Sequence, residues 1–529
     1  MSRIYFLIIS LLSLGFVFAQ SQKPNIVLIM FDDMGYSDLG CYGGEVKTPH
    51  IDSLAEGGVK FRNFKNTGRC CPSRASLLTG RHQHAVGLGW MTAVDEYRPG
   101  YRGQISSKVP TIAEILKTEG YSTYMSGKWH VSVDGGWKPK GSKPNGSYPL
   151  ERGFDKFYGT MSGGGNFYKP KSLYKNDKLI SHYDKDYYYT DAITENALEF
   201  IENHDAAKPF FLYLAHYAPH RPLQAPKERV ELCRERYKVG YDRLIQERFE
   251  RMKGLGLIDS NQTLSSEVAE YKGKARPNWE SLSDKMKESW IKEMATYAAM
   301  IEIMDDGIGE LIQELKNRGQ IENTCFIFLS DNGATNEGGQ ISQLAADLSN
   351  TPFRSYKAKT HMGGISSPLI FHGSHKLKGK GVRSEFTHIT DLLPTCLELA
   401  DVDYPKSFNG EEIASVDGVS LLPNINNDKK ITRDFFFEHQ TSCAIISGDW
   451  KLVRMNNNVS WELYNISEDP FEHKNLAKSN PEKVMSLEGK WHAWGEQNNV
   501  LPLNPKGLSW NKRVEKYTKL NPDQLGLDK

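Results

Sequence analysis

Ten residues of this sequence could do chemistry together, and they fall in six short segments: Asp32-Asp33, Cys70 with Arg74, Lys128 with His130, His220, Asp331-Asn332 and Lys357. Asp32-Asp33 and Asp331-Asn332 each follow an apolar run. Either pair alone reads more readily as turn or capping residues than as metal ligands. Taken together they are an all-oxygen set of hard ligands, which suits Ca²⁺ or Mg²⁺ and not Zn²⁺, an ion that favours His and Cys. Cys70 opens the segment Cys70-Cys71-Pro72-Ser73-Arg74-Ala75-Ser76-Leu77-Leu78-Thr79-Gly80-Arg81. It is a candidate nucleophile, or else a buried structural thiol at a helix start. Arg74 offers a forked guanidinium for carboxylates. Lys128 supplies a point charge, and His130, after Trp129, is either a packed histidine or a proton acceptor. His216 and His220 lie in Ala215-His216-Tyr217-Ala218-Pro219-His220-Arg221-Pro222, with His216 the more structural of the two. Lys357 precedes Gly363-Gly364-Ile365, and Lys359 competes with it.

The elements that must position these groups are legible as apolar runs. Pro24 to Phe31, Pro209 to Leu214 and Thr324 to Leu329 read as buried parallel strands, each running into polar residues. Val109 to Glu119 has helical spacing and stops at Gly120. Strands alternating with helices imply an α/β sheet, in which ligands bind beyond the carboxyl ends of the strands. The Asp, Asn and His residues sit at those ends, so one convergent site is expected. Residues 227–300 are charged and helical in pattern and read as an insert near the mouth of that site. After about residue 430, Asp434 to Glu438, Ala444 to Ser447, Lys451 to Met455 and Trp461 to Tyr464 read as a short-stranded meander. Pro481 to Gln497 then reads as an amphipathic helix. The expected division is a catalytic α/β domain over 20–429 and a small α+β domain with an antiparallel sheet over 430–529, its tail after Leu503 loosely held.

Composition sets the outer bounds. The chain has 529 residues, too many for one simple core. Its 66 Lys plus Arg and 65 Asp plus Glu leave a net charge of +1, so nothing global points to nucleic acid or an anionic membrane as partner. Arg3, the apolar run Ile4 to Phe18 and the small residues Val17 and Ala19 predict a signal peptide over 1–19, and so export to the periplasm or medium. No later run is long and apolar enough to predict a membrane span. Seven cysteines are few and odd in number for an exported chain, which argues against a disulfide scaffold.

The segment from Cys70 to Arg81 resembles the Cys-x-Pro-Ser-Arg…Leu-Thr-Gly-Arg signature of the type I sulfatases, and Gly120 to His130 resembles their second signature. Asp391-Leu392-Leu393-Pro394-Thr395, Asp417-Gly418-Val419-Ser420 and Gly448-Asp449-Trp450-Lys451-Leu452 are similar to further landmarks, so the likeness covers nearly all of the chain. The resemblance implies an alkaline-phosphatase-like fold. It implies that Cys70 is oxidised to formylglycine, by a formylglycine-generating or anaerobic sulfatase-maturating enzyme, and that the hydrated aldehyde attacks sulfur. It also implies a cation, calcium with magnesium as the alternative, held by Asp32, Asp33, Asp331, Asn332 and residue 70. Lys128 and Lys357 would hold sulfate, His130 would take the proton that expels it, and His220 would protonate the leaving group. Two positions depart from the usual pattern: Met362 stands where most members have Glu, and Ser366 follows where Arg is common. By analogy the substrate is a sulfated carbohydrate such as ulvan or carrageenan, with small aryl sulfates and phosphate esters as alternatives. Tyr168, Tyr187, Tyr188, Tyr189, Trp279 and Trp290 could stack on sugars or simply pack, and sequons occur at Asn145, Asn261, Asn458 and Asn465.

Overall fold

The computed structural model describes residues 23–132, 146–163, 165–264, 270–271, 274–337, 341–503 and 509–519. The expected leader and the sequon at Asn145 lie outside them. The apolar run that starts the described chain is a strand, Asn25–Phe31, buried along its whole length. It forms the middle of a ten-stranded, mostly parallel sheet. Thr324–Ser330 runs parallel on one side of it and Phe210–Ala215 parallel on the other. Ser122–Gly127 and Lys156–Thr160 extend the sheet beyond Phe210–Ala215. Leu369–Gly373, antiparallel, follows Thr324–Ser330 toward the opposite edge.

These runs are continuous rather than alternating because both faces are covered. Val27, Ile29 and Phe31 pack on one side with the helices Tyr189–Glu202 and Asp284–Asn317. Ile26, Leu28 and Met30 pack on the other with Cys70–Thr79, Ile112–Thr118 and Leu392–Leu399. Ile112–Thr118 begins with a capping box, in which Thr111 accepts from the Glu114 amide and Glu114 accepts from the Thr111 amide.

The C-terminal meander has four antiparallel strands, Phe435–His439, Ser442–Ser447, Trp450–Arg454 and Glu462–Asn465. Its side chains alternate between two apolar clusters. Phe435, Phe437, Ala444, Ile446 and Val453 face Met362 and Ile365 of the large domain. Cys443, Ile445, Leu452 and Leu463 face Leu487, Trp491 and Trp494 of the helix Pro481–Gln497.

Three expectations change. The segment 227–300 holds the helices Lys227–Tyr237 and Tyr241–Gly254, but its last part belongs to Asp284–Asn317, a 34-residue helix whose apolar face covers the sheet. Trp279 and Trp290 are buried against each other and Tyr241, with ring centroids 5.2 Å and 5.5 Å apart, and so pack the insert instead of meeting a sugar. Tyr188 and Tyr189 are likewise buried, and the Tyr187 hydroxyl is spent 2.8 Å from that of Tyr158; of the six aromatics only Tyr168 is well exposed, at 37%. The tail is anchored over 509–519: in the helix Trp510–Lys519, Arg513 Nε donates to Glu96 at 2.5 Å and Tyr517 enters the main core.

Candidate active site

Strand register brings the candidate residues together. Phe31 pairs with Ser330, Met30 with Ala215, and Gly127 with Ala215. Four parallel segments therefore end nearly level. The residues that leave them are Asp32-Asp33, Asp331-Asn332, His216 onward, and Lys128 to His130. All emerge into one crevice at the carboxyl edge of the sheet.

At its floor the carboxylates meet Arg74, which is fully buried at the middle of the helix Cys70–Thr79. Its Nη2 and Nε donate to Asp331 Oδ2 at 3.0 Å and 3.3 Å, Nη1 donates to the Lys128 carbonyl at 2.7 Å, and Asp32 Oδ2 lies 3.8 Å away. Lys128 Nζ pairs with Asp32 Oδ2. Lys357 Nζ donates to Asp33 Oδ1 at 2.5 Å, and Asn332 Nδ2 donates to the same oxygen at 2.7 Å. Burial would raise Asp32, but Lys128, His220 and Arg74 outweigh it and hold the carboxyl well below the usual range. Asp331 goes the other way: burial and the charge of Asp32 push it up despite Arg74.

Asp32 Oδ1, Asp33 Oδ2 and Asn332 Oδ1 are buried with no donor among the described residues. Three orphaned hard oxygens, two of them anionic, are costly in a protein interior unless a cation takes them. The donor set therefore fits a divalent cation of the Ca²⁺ or Mg²⁺ kind. One ligand atom each of Asp32, Asp33 and His220 lie within 4.8 Å of one another.

Cys70 starts its helix at the edge of this cluster and is 1% exposed. A hydrogen bond from Cys71, with help from Lys128, Lys357 and His130, pulls its thiol well below the ordinary value against the effect of burial. Its Sγ, Cys71 Sγ and a ring nitrogen of His130 lie within 4.8 Å of one another. Burial lowers His130 to about 4, so the imidazole is neutral at pH 7. Its backbone is left-handed, with φ 57°, as is that of Asp33, with φ 68°. Non-glycine residues in that region carry strain, and such strain concentrates at functional sites. The ring lies on Gly163, where an added Cβ would come within 2.0 Å of it.

Lys357 is presented by a loop held on two sides. Its amide donates to Ala334 at 3.1 Å, and the next amide, Ala358, to Gly68 at 2.7 Å. Gly363 and Gly364 lie directly beneath, where a Cβ would fall 2.2 Å from Ser355 O and 2.1 Å from Lys359 O. That contact is the physical content of the Lys357-to-Gly-Gly spacing. Burial alone would lower Lys357; Asp33 and residue 70 hold it above the ordinary lysine value.

His220 Nδ1 donates to the Arg221 carbonyl at 2.6 Å, which leaves Nε2 facing Asp33 Oδ2 at 3.6 Å. Burial lowers it, and Asp33 and Asp32 partly oppose that. His216 is fully buried on the edge of Phe31, as expected of a packing residue. The two departures from the resemblance are engaged with residues outside the cluster of Asp32, Asp33 and Asp331. The Met362 amide donates to Glu472 at 2.9 Å while its side chain packs on the C-terminal sheet, and Ser366 Oγ accepts from the buried Lys65 at 2.8 Å. Two groups escaped the sequence reading. Tyr217 lies under Lys128 Nζ, 5.4 Å from its ring centroid, and beside His220, with ring centroids 5.0 Å apart. Arg69 pairs with Glu337 at the rim. Only the position of Arg69 next to Cys70, and of Glu337 six residues after Asp331, signalled them.

Comparison with known proteins agrees with this geometry. The sulfatase family profile matches residues 24–402, and that of the N-sulphoglucosamine sulphohydrolase C-terminal region matches 357–491. The chain is 30% identical over 443 residues to an arylsulfatase of Klebsiella aerogenes, covering 76% of this chain and 92% of that one. It is 28% identical over 492 residues to the N-acetylgalactosamine-6-sulfatase of Mus musculus, covering 88% and 78%. The solved structure of Ps i-CgsB in complex with k-i-k-neocarrahexaose superposes with a TM-score of 0.69 at 25% identity, over 95% of this chain and 99% of that one. With its mostly parallel sheet and small antiparallel domain, the chain belongs to the sulfatase family, sulfuric ester hydrolases of alkaline-phosphatase-like fold.

Proposed function

We propose that this sulfatase removes sulfate from carbohydrate, using calcium and a formylglycine made from Cys70. The observation that carries the mechanism is the set of three orphaned oxygens beside Cys70, flanked by Lys128 and Lys357. Asp32, Asp33, Asp331 and Asn332, with residue 70, would hold the cation, which would neutralise charge on a sulfate oxygen. Hydrated formylglycine would supply one hydroxyl to attack sulfur and a second whose deprotonation releases sulfate. Lys128 and Lys357 are the cations that meet the sulfate oxygens, exchanging part of their contact with Asp32 and Asp33 for it. His130, neutral and clamped, is the base beside residue 70. His220 keeps its Nδ1 proton on the Arg221 carbonyl, so it would serve the departing oxygen as an imidazolium, after Nε2, which faces Asp33, has taken up a second proton. Fixed charges in a buried site supply the largest share of a barrier reduction on the order of 20 kcal/mol.

The carbohydrate reading draws support from the relatives, among them an N-acetylgalactosamine-6-sulfatase and a structure holding a neocarrahexaose. Export rests on the leader alone, and among the described residues no helix is long and apolar enough to cross a membrane. Mass spectrometry of the peptide holding Cys70, from a host with a maturating enzyme, tests the nucleophile. An aldehyde in active protein is expected, and an intact thiol in fully active enzyme refutes it. A panel of sulfated oligosaccharides set against an aryl sulfate and an aryl phosphate tests the substrate class. N-terminal sequencing of exported protein should begin at Gln20.

A further inference from the structure

The rim of the site holds a charged pair that the reaction does not use. Arg69, immediately before Cys70, is 7% exposed, and its Nη1 donates to Glu337 Oε1. The backbone of Arg69 is fixed at the head of the helix, its carbonyl accepting from Ser73 N at 2.9 Å and Thr67 Oγ1 at 3.3 Å. Glu337 lies on the loop leaving Thr324–Ser330, where its amide donates to Thr335 Oγ1 at 3.1 Å. Its side chain is 31% exposed, and Arg69 reaches it through Oε1, the oxygen other than Oε2. Burial would raise Glu337, but Arg69 and Lys357 bring it down to about 2, so it carries a charge at any working pH. Lys359 also feels that charge.

A carboxylate next to a pocket for an anion weakens sulfate binding by repulsion, and Arg69 offsets only part of this. It repays that cost where the ligand brings hydrogen-bond donors, because a carboxylate only accepts. The ring of a sugar carries hydroxyl or amide N–H groups next to the esterified carbon; a simple aryl sulfate carries none. Oε2 is the acceptor left over for such a donor, with Oε1 tethered so that the carboxylate plane is set in advance.

We propose that Glu337, oriented by Arg69, is a specificity-determining residue that accepts a hydrogen bond from the hydroxyl or N–H neighbouring the sulfated position of the leaving sugar. The inference rests on the carbohydrate reading above and adds to it the group that distinguishes sugar from aryl ester. Arg69 is a positioning residue in this scheme.

The test is the ratio of kcat/KM on the best sulfated saccharide of the panel to kcat/KM on 4-nitrophenyl sulfate, with each protein normalised for formylglycine content. A lost hydrogen bond to a charged acceptor corresponds to about 10- to 100-fold, and Glu337→Ala should lower the ratio by that much. Glu337→Gln, which keeps an acceptor, should lower it less, and Arg69→Lys should preserve more of it than Arg69→Ala. A saccharide lacking the neighbouring hydroxyl should be penalised by wild type but not further by Glu337→Ala, which isolates the pair as a double-mutant cycle does. Equal losses on sugar and aryl sulfate, or an unchanged ratio, would overturn the inference while leaving the carbohydrate reading standing. Wild-type turnover of aryl sulfate with no saccharide cleaved would overturn both.

Discussion

Gly163→Ala isolates the placement of His130 from every other feature of the site. Ordinary van der Waals contact begins near 3.4 Å, and the new methyl would lie 2.0 Å from the His130 ring. The ring must therefore give by about 1.4 Å. Its backbone is tied down and cannot follow: the Lys128 amide donates to Ala215 at 2.7 Å, Trp129 to Thr160 at 2.9 Å and His130 to Met161 at 3.2 Å. The left-handed φ of His130 leaves little room for relaxation either. A displacement of this size in the base proposed above costs on the order of 10²-fold in rate. The expected result is a loss of that order in kcat with KM little changed, since Lys128 and Lys357 stay in place. Steady-state kinetics on an aryl sulfate, with formylglycine and metal content measured on the same samples, reads it. If kcat stays near wild type while His130→Ala abolishes turnover, the ring is not held as the geometry indicates and the reasoning fails.

Three more outcomes are expected. Removing divalent cations with a chelator should abolish turnover and lower Tm. Ca²⁺ should restore both, by about 2.7 kcal/mol of stability at a hundred times its Kd, as followed by thermal melts against added Ca²⁺; no change in Tm would argue against a cation on the orphaned oxygens. Arg74→Met takes the guanidinium from the buried Asp331 and Asp32, leaving Asp331 only the Asp33 amide, and should destabilise the fold by about 3–5 kcal/mol in denaturant unfolding with cation absent. Lys65 is lowered by burial and by Lys451 to about 7, against 10.5 for an ordinary lysine. The folded state thus holds fewer protons than the unfolded state between these values, so stability from this residue is present above pH 10.5 and lost as pH falls through about 7. Lys65→Met should flatten the rise of stability with pH across that window, as seen in unfolding curves at several pH values.

Much of the site was legible before any fold was known. The apolar runs ending in Asp32 and Asp331 announced buried strands, and the types of residue at their ends announced a convergence of oxygen atoms. Lys128, His130 and Lys357 stood out because the segments around them are specific. What stayed hidden has a common cause. Trp279 and Trp290 could have met a ligand or each other, and only the packing of the insert showed that they meet each other and Tyr241. Met362 and Ser366 looked like changes to the site, but their partners, Glu472 and Lys65, are distant in sequence.

The sequence by itself determined the chemistry available: which residues can ligate, carry charge or move a proton, and which runs must be buried, since these depend on side-chain type and short-range pattern. Tertiary structure alone decided which of those groups meet. Parallel register sets Asp32 and Asp331 at one level although 299 positions separate them, and a close backbone approach at Gly363 and Gly364 aims Lys357 at Asp33. It also set Arg69 against Glu337, 268 positions away. Pairings of this kind arise from the balance of burial, backbone hydrogen bonding and chain crossover over the whole domain, and no local stretch of residues contains that balance.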